Sequence, residues 1–147
     1  MTVSTVPAAL EALVAAGTRA LPGVRVWDGY PLASDTTMLC VGFTGQQDEA
    51  AVESTRTRQQ AALEPEHEAY AVSCYLYVLK GDTDARQTRQ ALYELLDALA
   101  GELVADPTLS GAVARAQMST ESLTQTQTDK GAQAELRFVI LIDAWTD

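Results

Sequence analysis

Apolar residues recur along this chain with two periods, and the switches between them mark out the elements. Ser4 or Thr5 supplies a helix cap, Pro7 fits an opening turn, and Leu10, Leu13, Val14 and Leu21 follow at helical spacing until Pro22-Gly23. Val24-Arg25-Val26-Trp27 then alternates as a short strand and runs into the turn Asp28-Gly29-Tyr30-Pro31. From Thr37 to Thr44, Leu39, Val41 and Phe43 share one face while Met38, Cys40 and Gly42 share the other. Both faces of that strand therefore require cover. Gly45 to Pro65 has no sustained apolar period, and its Gln, Glu, Thr and Arg content predicts a long loop with a short helix around Arg58 to Leu63.

Strand character returns from Glu66 to Leu79, with Tyr70, Val72, Cys74, Leu76 and Val78 opposite Ala71, Ser73, Tyr75 and Tyr77. Such density on both faces predicts a central position in the sheet. Lys80-Gly81-Asp82-Thr83 provides a turn and a cap for a second helix, whose Leu92, Leu95, Leu96, Leu99 and Leu103 form one stripe before Asp106-Pro107 ends it. Two long stretches, Ala112 to Thr128 and Ala132 to Trp145, then flank Asp129-Lys130-Gly131, a loop with glycine where a left-handed residue is wanted. They predict a hairpin. Taking Thr128 opposite Ala132 sets Thr124 against Leu136, Ser122 against Phe138, Thr120 against Ile140 and Met118 against Ile142. The predicted class is α+β: one domain with two helices packed on a mainly antiparallel β-sheet and a long C-terminal β-hairpin.

Arms of that length reach ~50 Å at ~3.3 Å per residue, which predicts that the tip projects. The tip is polar and nearly uncharged, and unpaired strand edges of this kind are templates for pairing with another chain. Thr124, Gln125, Thr126, Gln127, Gln133 and Glu135 are thus candidate subunit-interface residues. The alternative is a solvated hairpin that packs back on its own sheet.

Charge narrows the partners. Among 147 residues, 10 basic side chains face 20 acidic ones, for a net charge of −10. The field of such a chain repels nucleic acid and anionic membrane, so phosphate-backbone binding is excluded. The N-terminus lacks the basic region of a secretion signal, and no apolar run approaches the ~20 residues of a membrane helix. A soluble protein, cytosolic when made, is expected. Cys40 and Cys74 both lie in apolar strand-like segments and are expected to be free core residues.

Catalytic patterns are sparse. In Glu66-His67-Glu68, strand alternation puts the imidazole opposite both carboxylates, so no metal site forms locally. Asp82, Asp84 and Glu94 suit helix capping and a solvated face better than an acid–base pair. Gly42-Phe43-Thr44-Gly45 lacks the lysine of a phosphate cradle, and no Walker, GxGxxG, CxxC or HExxH pattern occurs. No catalytic residue, metal or cofactor is therefore expected. The enzymatic alternative is a small hydrolase or ligand-binding domain using His67 with Ser73 or Tyr75. Trp27 and Trp145, each near a strand end, suit packing or an interface.

Several local strings resemble the tail terminator (tail-completion) proteins of long-tailed, non-contractile bacteriophages. They are Val26-Trp27-Asp28-Gly29-Tyr30-Pro31, Glu68-Ala69-Tyr70-Ala71-Val72-Ser73-Cys74, Gly81-Asp82-Thr83-Asp84-Ala85-Arg86 and Asp106-Pro107-Thr108-Leu109-Ser110-Gly111-Ala112-Val113. The last is Leu123-Thr124-Gln125-Thr126-Gln127-Thr128 with Asp129-Lys130-Gly131-Ala132 and Leu136-Arg137-Phe138. Ser110 stands where the family often has a second glycine. The resemblance implies a structural virion protein: a homohexameric ring at the head-proximal end of the tail that stops tube polymerisation. Its implied partners are the tail tube protein on one face and a head–tail connector or stopper protein on the other. Double-stranded DNA would pass through without specific binding, and Asp48, Glu49 and Glu53 are candidate lumen-facing acids. Assembly would occur in the host cytoplasm. Another neck or connector protein of similar shape is the closest rival.

Overall fold

The protein is described by a computed structural model over residues 3–55, 66–81 and 84–146. The first helix, α1 (Val6–Ala20), buries Ala9, Leu13, Ala16 and Gly17. It ends where the Leu21 N–H donates to the Gly17 carbonyl at 2.9 Å and Gly23 turns the chain with φ 81°. Strand β1 (Arg25–Asp28) pairs in parallel with β2 (Thr37–Val41), in register Val26 to Leu39. A side chain at Gly17 would place its Cβ 2.7 Å from Leu39, so glycine here sets how closely α1 approaches the sheet.

The long strand β4 (Glu66–Lys80) follows the two-residue β3 (Val52–Glu53) and pairs with it at Val72 and Ala71. Helix α2 (Ala85–Ala105) is capped by Asp84, whose carboxylate accepts from Gln87 N–H at 3.1 Å, and buries Leu92, Leu96, Leu99 and Leu103. Strands β5 (Arg115–Thr128) and β6 (Gly131–Thr146) complete a sheet of order β1-β2-β4-β6-β5. All pairings except β1–β2 are antiparallel. Both helices cover one face, where Leu39, Val72, Leu76, Leu136, Phe138, Ile140 and Ile142 form one core with the helix leucines. The α+β architecture of the sequence reading is thus the observed one. The short helix expected around residues 58–63 lies outside the described residues.

The hairpin differs from its predicted register. Thr128 pairs with Gly131, so the turn holds two residues, Asp129 and Lys130, instead of three. Thr128 Oγ1 donates to the Gly131 carbonyl at 3.0 Å and accepts from Lys130 N–H at 3.2 Å, which closes the tighter turn. A one-residue slip exchanges the faces of a strand. Leu136 consequently faces Leu123, not Thr124, and Phe138 faces Glu121, not Ser122. A bulge between Met118 and Glu121 inserts one further residue, so Ile140 faces Met118 and Ile142 faces Ala116.

The tip is also not a bare ribbon. β4, with 15 residues beside the 16 of β6, pairs with it from Glu66–Thr146 to Lys80–Ala132, giving the tip a third strand.

The start of α1 is held by a carboxylate from β4. Thr5 occupies the cap position without a side-chain cap bond of its own. Buried Glu68 instead accepts from Ser4 Oγ at 2.6 Å and from Thr5 N–H at 2.8 Å, as well as from the Thr5 hydroxyl. A carboxylate at a helix N-terminus satisfies orphan donors and opposes the positive end of the helix dipole. Removing it leaves buried donors unpaired. Glu68→Ala should therefore lower unfolding free energy by about 3 kcal/mol, read as a lower denaturant midpoint with unchanged slope. A shift within the noise of the midpoint would show that the clamp contributes nothing.

After α2, Leu109, Ser110 and Gly111 all adopt left-handed backbone, with φ of 51°, 59° and 88°. The Asp106 carboxylate organises this turn, accepting from Ser110 N–H at 2.9 Å and from Ser110 Oγ at 3.2 Å. Those hydrogen bonds, the backbone one first, hold its carboxyl below the ordinary range. Left-handed backbone costs an L-residue roughly 1 kcal/mol that glycine avoids. Ser110→Gly should raise the thermal midpoint by a few degrees; a lowered midpoint would mean that the serine hydroxyl matters more than the backbone relief.

Candidate functional site

The sheet face away from the helices is where the chain displays its polar and aromatic chemistry. Its upper part is built on β4 and β6. Tyr75 donates its hydroxyl to Glu135, Tyr77 donates to Gln133 Oε1 at 3.2 Å, and Arg137 Nη2 lies 3.7 Å from Glu135 Oε1. The two tyrosine contacts join diagonal neighbours, since Tyr75 pairs with Arg137 and Tyr77 with Glu135, while Arg137 and Glu135 are two apart on β6. The rings continue the cluster: Tyr30 meets Phe43 edge-on at 5.4 Å, Phe43 meets Tyr75 at 5.5 Å, and Tyr75 stacks with Tyr77 at 6.3 Å. Gly45, at φ 89°, lies against the Tyr75 ring and the Arg137 guanidinium, where a Cβ would come within 2.8 Å of the ring.

Parallel pairing of β1 with β2 obliges residues 29–36 to travel back along the strand direction, and they do so over this face. Trp27 Nε1 donates to Asp35 at 3.3 Å, the Arg25 guanidinium sits 4.3 Å over the Trp27 ring, and Leu79 N–H donates to the Thr36 carbonyl at 2.7 Å. Between that segment and the hairpin tip lies an open cleft of about 900 Å³, walled by Met38, Tyr75, Tyr77, Gln133, Asp35 and Lys130 among others.

The lower part of the face is more apolar. Trp145 is 61% exposed and Leu141 43% exposed. His67 packs on Trp145 with ring centroids 5.0 Å apart, and its Nε2 lies 3.1 Å from Asp143. Ser73 is six residues further along β4, roughly 20 Å away at ~3.3 Å per residue, and Tyr75 further still. The hydrolase constellation of His67 with Ser73 or Tyr75 is therefore not brought together. Among the described residues, no group of three or more His, Cys, Asp or Glu is placed to hold a metal ion.

The six candidate interface residues divide. Gln125 is tied to α2, accepting from Arg89 at 2.8 Å and donating to the Ala85 carbonyl at 3.0 Å. Gln133 and Glu135 are engaged by Tyr77 and Tyr75. Thr124, Thr126 and Gln127 are exposed on β5. Three of the six are thus partly buried and hydrogen-bonded within the chain, a consequence of β4 and α2 flanking the hairpin. Asp48, Glu49 and Glu53 are all exposed, the first with φ 60° and the last in β3.

Cys40 and Cys74 are free and buried, with burial pushing both thiols up to about 12. Among the described residues no helix is long and apolar enough to cross a membrane. Sequence reasoning missed the Tyr75–Glu135–Arg137 group, although Tyr75 and Tyr77 standing on the face opposite Cys74 and Leu76 was a readable signal. Compared with known proteins, the chain matches no family model and no curated sequence.

Burial and the hydrogen bond to Glu135 push the Tyr75 hydroxyl above the ordinary value of 10.0. With a folded-state pKa above the unfolded one, its contribution is complete below about pH 10 and is lost as pH rises further. The native protein should lose stability above that point, and Tyr75→Phe should flatten the alkaline limb of a thermal-midpoint-against-pH profile. Identical alkaline limbs would remove Tyr75 from the account.

Proposed function

We propose that this chain is a structural subunit of a phage tail: a ring-forming terminator that caps the tail tube and joins it to the head–neck assembly. The observation that carries the reading is the lower part of the face away from α1 and α2, where Trp145 and Leu141 stand exposed in an otherwise strongly acidic protein. Exposed large apolar groups grouped on one face mark surfaces that meet another protein. A subunit repeating around a ring axis presents two different patches to its two neighbours, and such a face supplies one of them.

Two further features support the reading. Ser110 adopts the left-handed backbone for which the glycine common in the resembling family is suited. The net charge of −10, with Asp48, Glu49 and Glu53 exposed near β3, suits a passage through which DNA moves without adhering. In the mechanism, one ring face occupies the growing end of the tube and blocks addition of the next tube ring. The other face receives the connector or stopper protein.

The test is imaging of the purified protein alone and mixed with a polymerising tail tube protein of a long-tailed, non-contractile phage. Rings with a central opening, and tubes that stop growing with one end capped, are the expected result. Tubes that lengthen unchanged in its presence would end the terminator reading.

A further inference from the structure

Among the described residues the sheet path ends at β5, which is the longest strand with one side open along its whole length. It runs 14 residues from Arg115 to Thr128 with β6 on one flank, while the opposite end of the path, β1, spans only 4 residues. The bulge between Met118 and Glu121 divides the edge, leaving Glu121 to Thr128 in unbroken register with β6. Within that segment Ser122-Leu123-Thr124-Gln125-Thr126-Gln127-Thr128 carries no charge and no proline. Natural sheets protect open edges with lysine, proline, bulges or shortness. The bulge and the charged Glu121 interrupt the lower end of this edge, and from Ser122 to Thr128 it carries none of these devices.

The edge is also held in place for pairing. Gln125 is fixed to Arg89 and Ala85 at the start of α2. Alternate residues of a strand so held direct backbone N–H and C=O groups outward at fixed spacing.

We infer that the Glu121–Thr128 edge pairs with the same segment of a second copy, antiparallel about a two-fold axis at Thr124. Length selects this partner, because β1 offers half as many residues and another β5 offers an equal run. Charge permits it. Two copies each carrying −10 repel across most surfaces, and the uncharged strip is where they approach at least cost. The axis position follows from the side chains. With Thr124 opposite the partner's Thr124, Ser122 meets the partner's Thr126, Leu123 meets the partner's Gln125, and Glu121 meets the partner's Gln127. Moving the axis to Gln125 would set Glu121 against the partner's Asp129, a like-charge pair that destabilises an edge. The chosen register also brings the two Leu123 side chains, each 36% exposed, into diagonal proximity on the helix side. The result is a sheet continuous across two chains with all four helices on one face.

This pairing is isologous and closes on itself, so it neither requires the ring nor is required by it. Thr124 is exposed, so charged replacements leave the core intact. The experiment measures mass in solution by light scattering across a dilution series, for the native chain, for Thr124→Lys, for Thr124→Glu and for an equimolar mixture of the two variants. The native chain is expected to associate in even multiples. Each variant alone places like charges directly across the axis and should weaken association at least about tenfold, and mixing them should restore it through opposite charges. Circular dichroism of each variant confirms folding. A native chain that is monomeric throughout would overturn the inference and leave the edge to a different polypeptide. An oligomer that ignores both variants, or variants that fail to rescue one another, would overturn it too. A tube-capping ring that is indifferent to Thr124 removes the two-fold pairing alone; a Thr124-dependent dimer that leaves tube growth unchanged removes the tail reading alone.

Discussion

Everything in this molecule is referred to the pairing of β4 with β6. The two strands are bonded along the whole length of β4, and each of the other strands except β1, which pairs with β2, is attached to one of them. β2 and β3 extend the sheet from β4, and β5 extends it from β6. The inward residues of this pair, from Val72 and Leu76 to Leu136 and Ile140, are the floor on which α2 rests, while α1 lies over β1 and β2 and joins the same core. Burial of that floor is the main favourable term, because apolar area removed from water stabilises at roughly 25 cal/mol per Å².

The two faces of the pair serve different ends. On the inner face Glu68 interrupts an otherwise apolar row, and its carboxylate is matched by donors from the start of α1, so the interruption ties the helix to the sheet. The outer face is organised by hydrogen-bonded aromatics above and by Trp145, His67 and Asp143 below. The upper part is hydrogen-bonded within the chain except at Arg137 Nε, which is buried without a partner among the described residues. In the lower part Trp145 and Leu141 are exposed.

Both helices and all strands but β3 could be read from the sequence, because apolar periods of 3.6 and 2 are imposed by burial on one face. Register was less accessible. The string Thr-Asp-Lys-Gly closes either a two- or a three-residue loop, and the choice is made by the Thr128 side chain and by the strand already beside β6. The bulge at residues 118–121 leaves no clear local signal, and it altered every pairing below it. Glu68 was legible as a residue on the inner face, but its meaning was not, since its donors lie 63 and 64 residues away in sequence. The same distance problem hid the engagement of Gln125 by α2 and of Glu135 by Tyr75.

The place of β6 in the sheet has a bearing on biosynthesis. Its neighbours β4 and β5 are both translated before it, yet neither touches the other in the strand order, and β6 must enter between them. Until the ribosome has delivered residues 131–146, β4 offers its full hydrogen-bonding flank and much of its apolar row to whatever else is nearby. A nascent chain in that interval depends on chaperones or on speed, since an unaccompanied strand of this kind is a nucleus for aggregation.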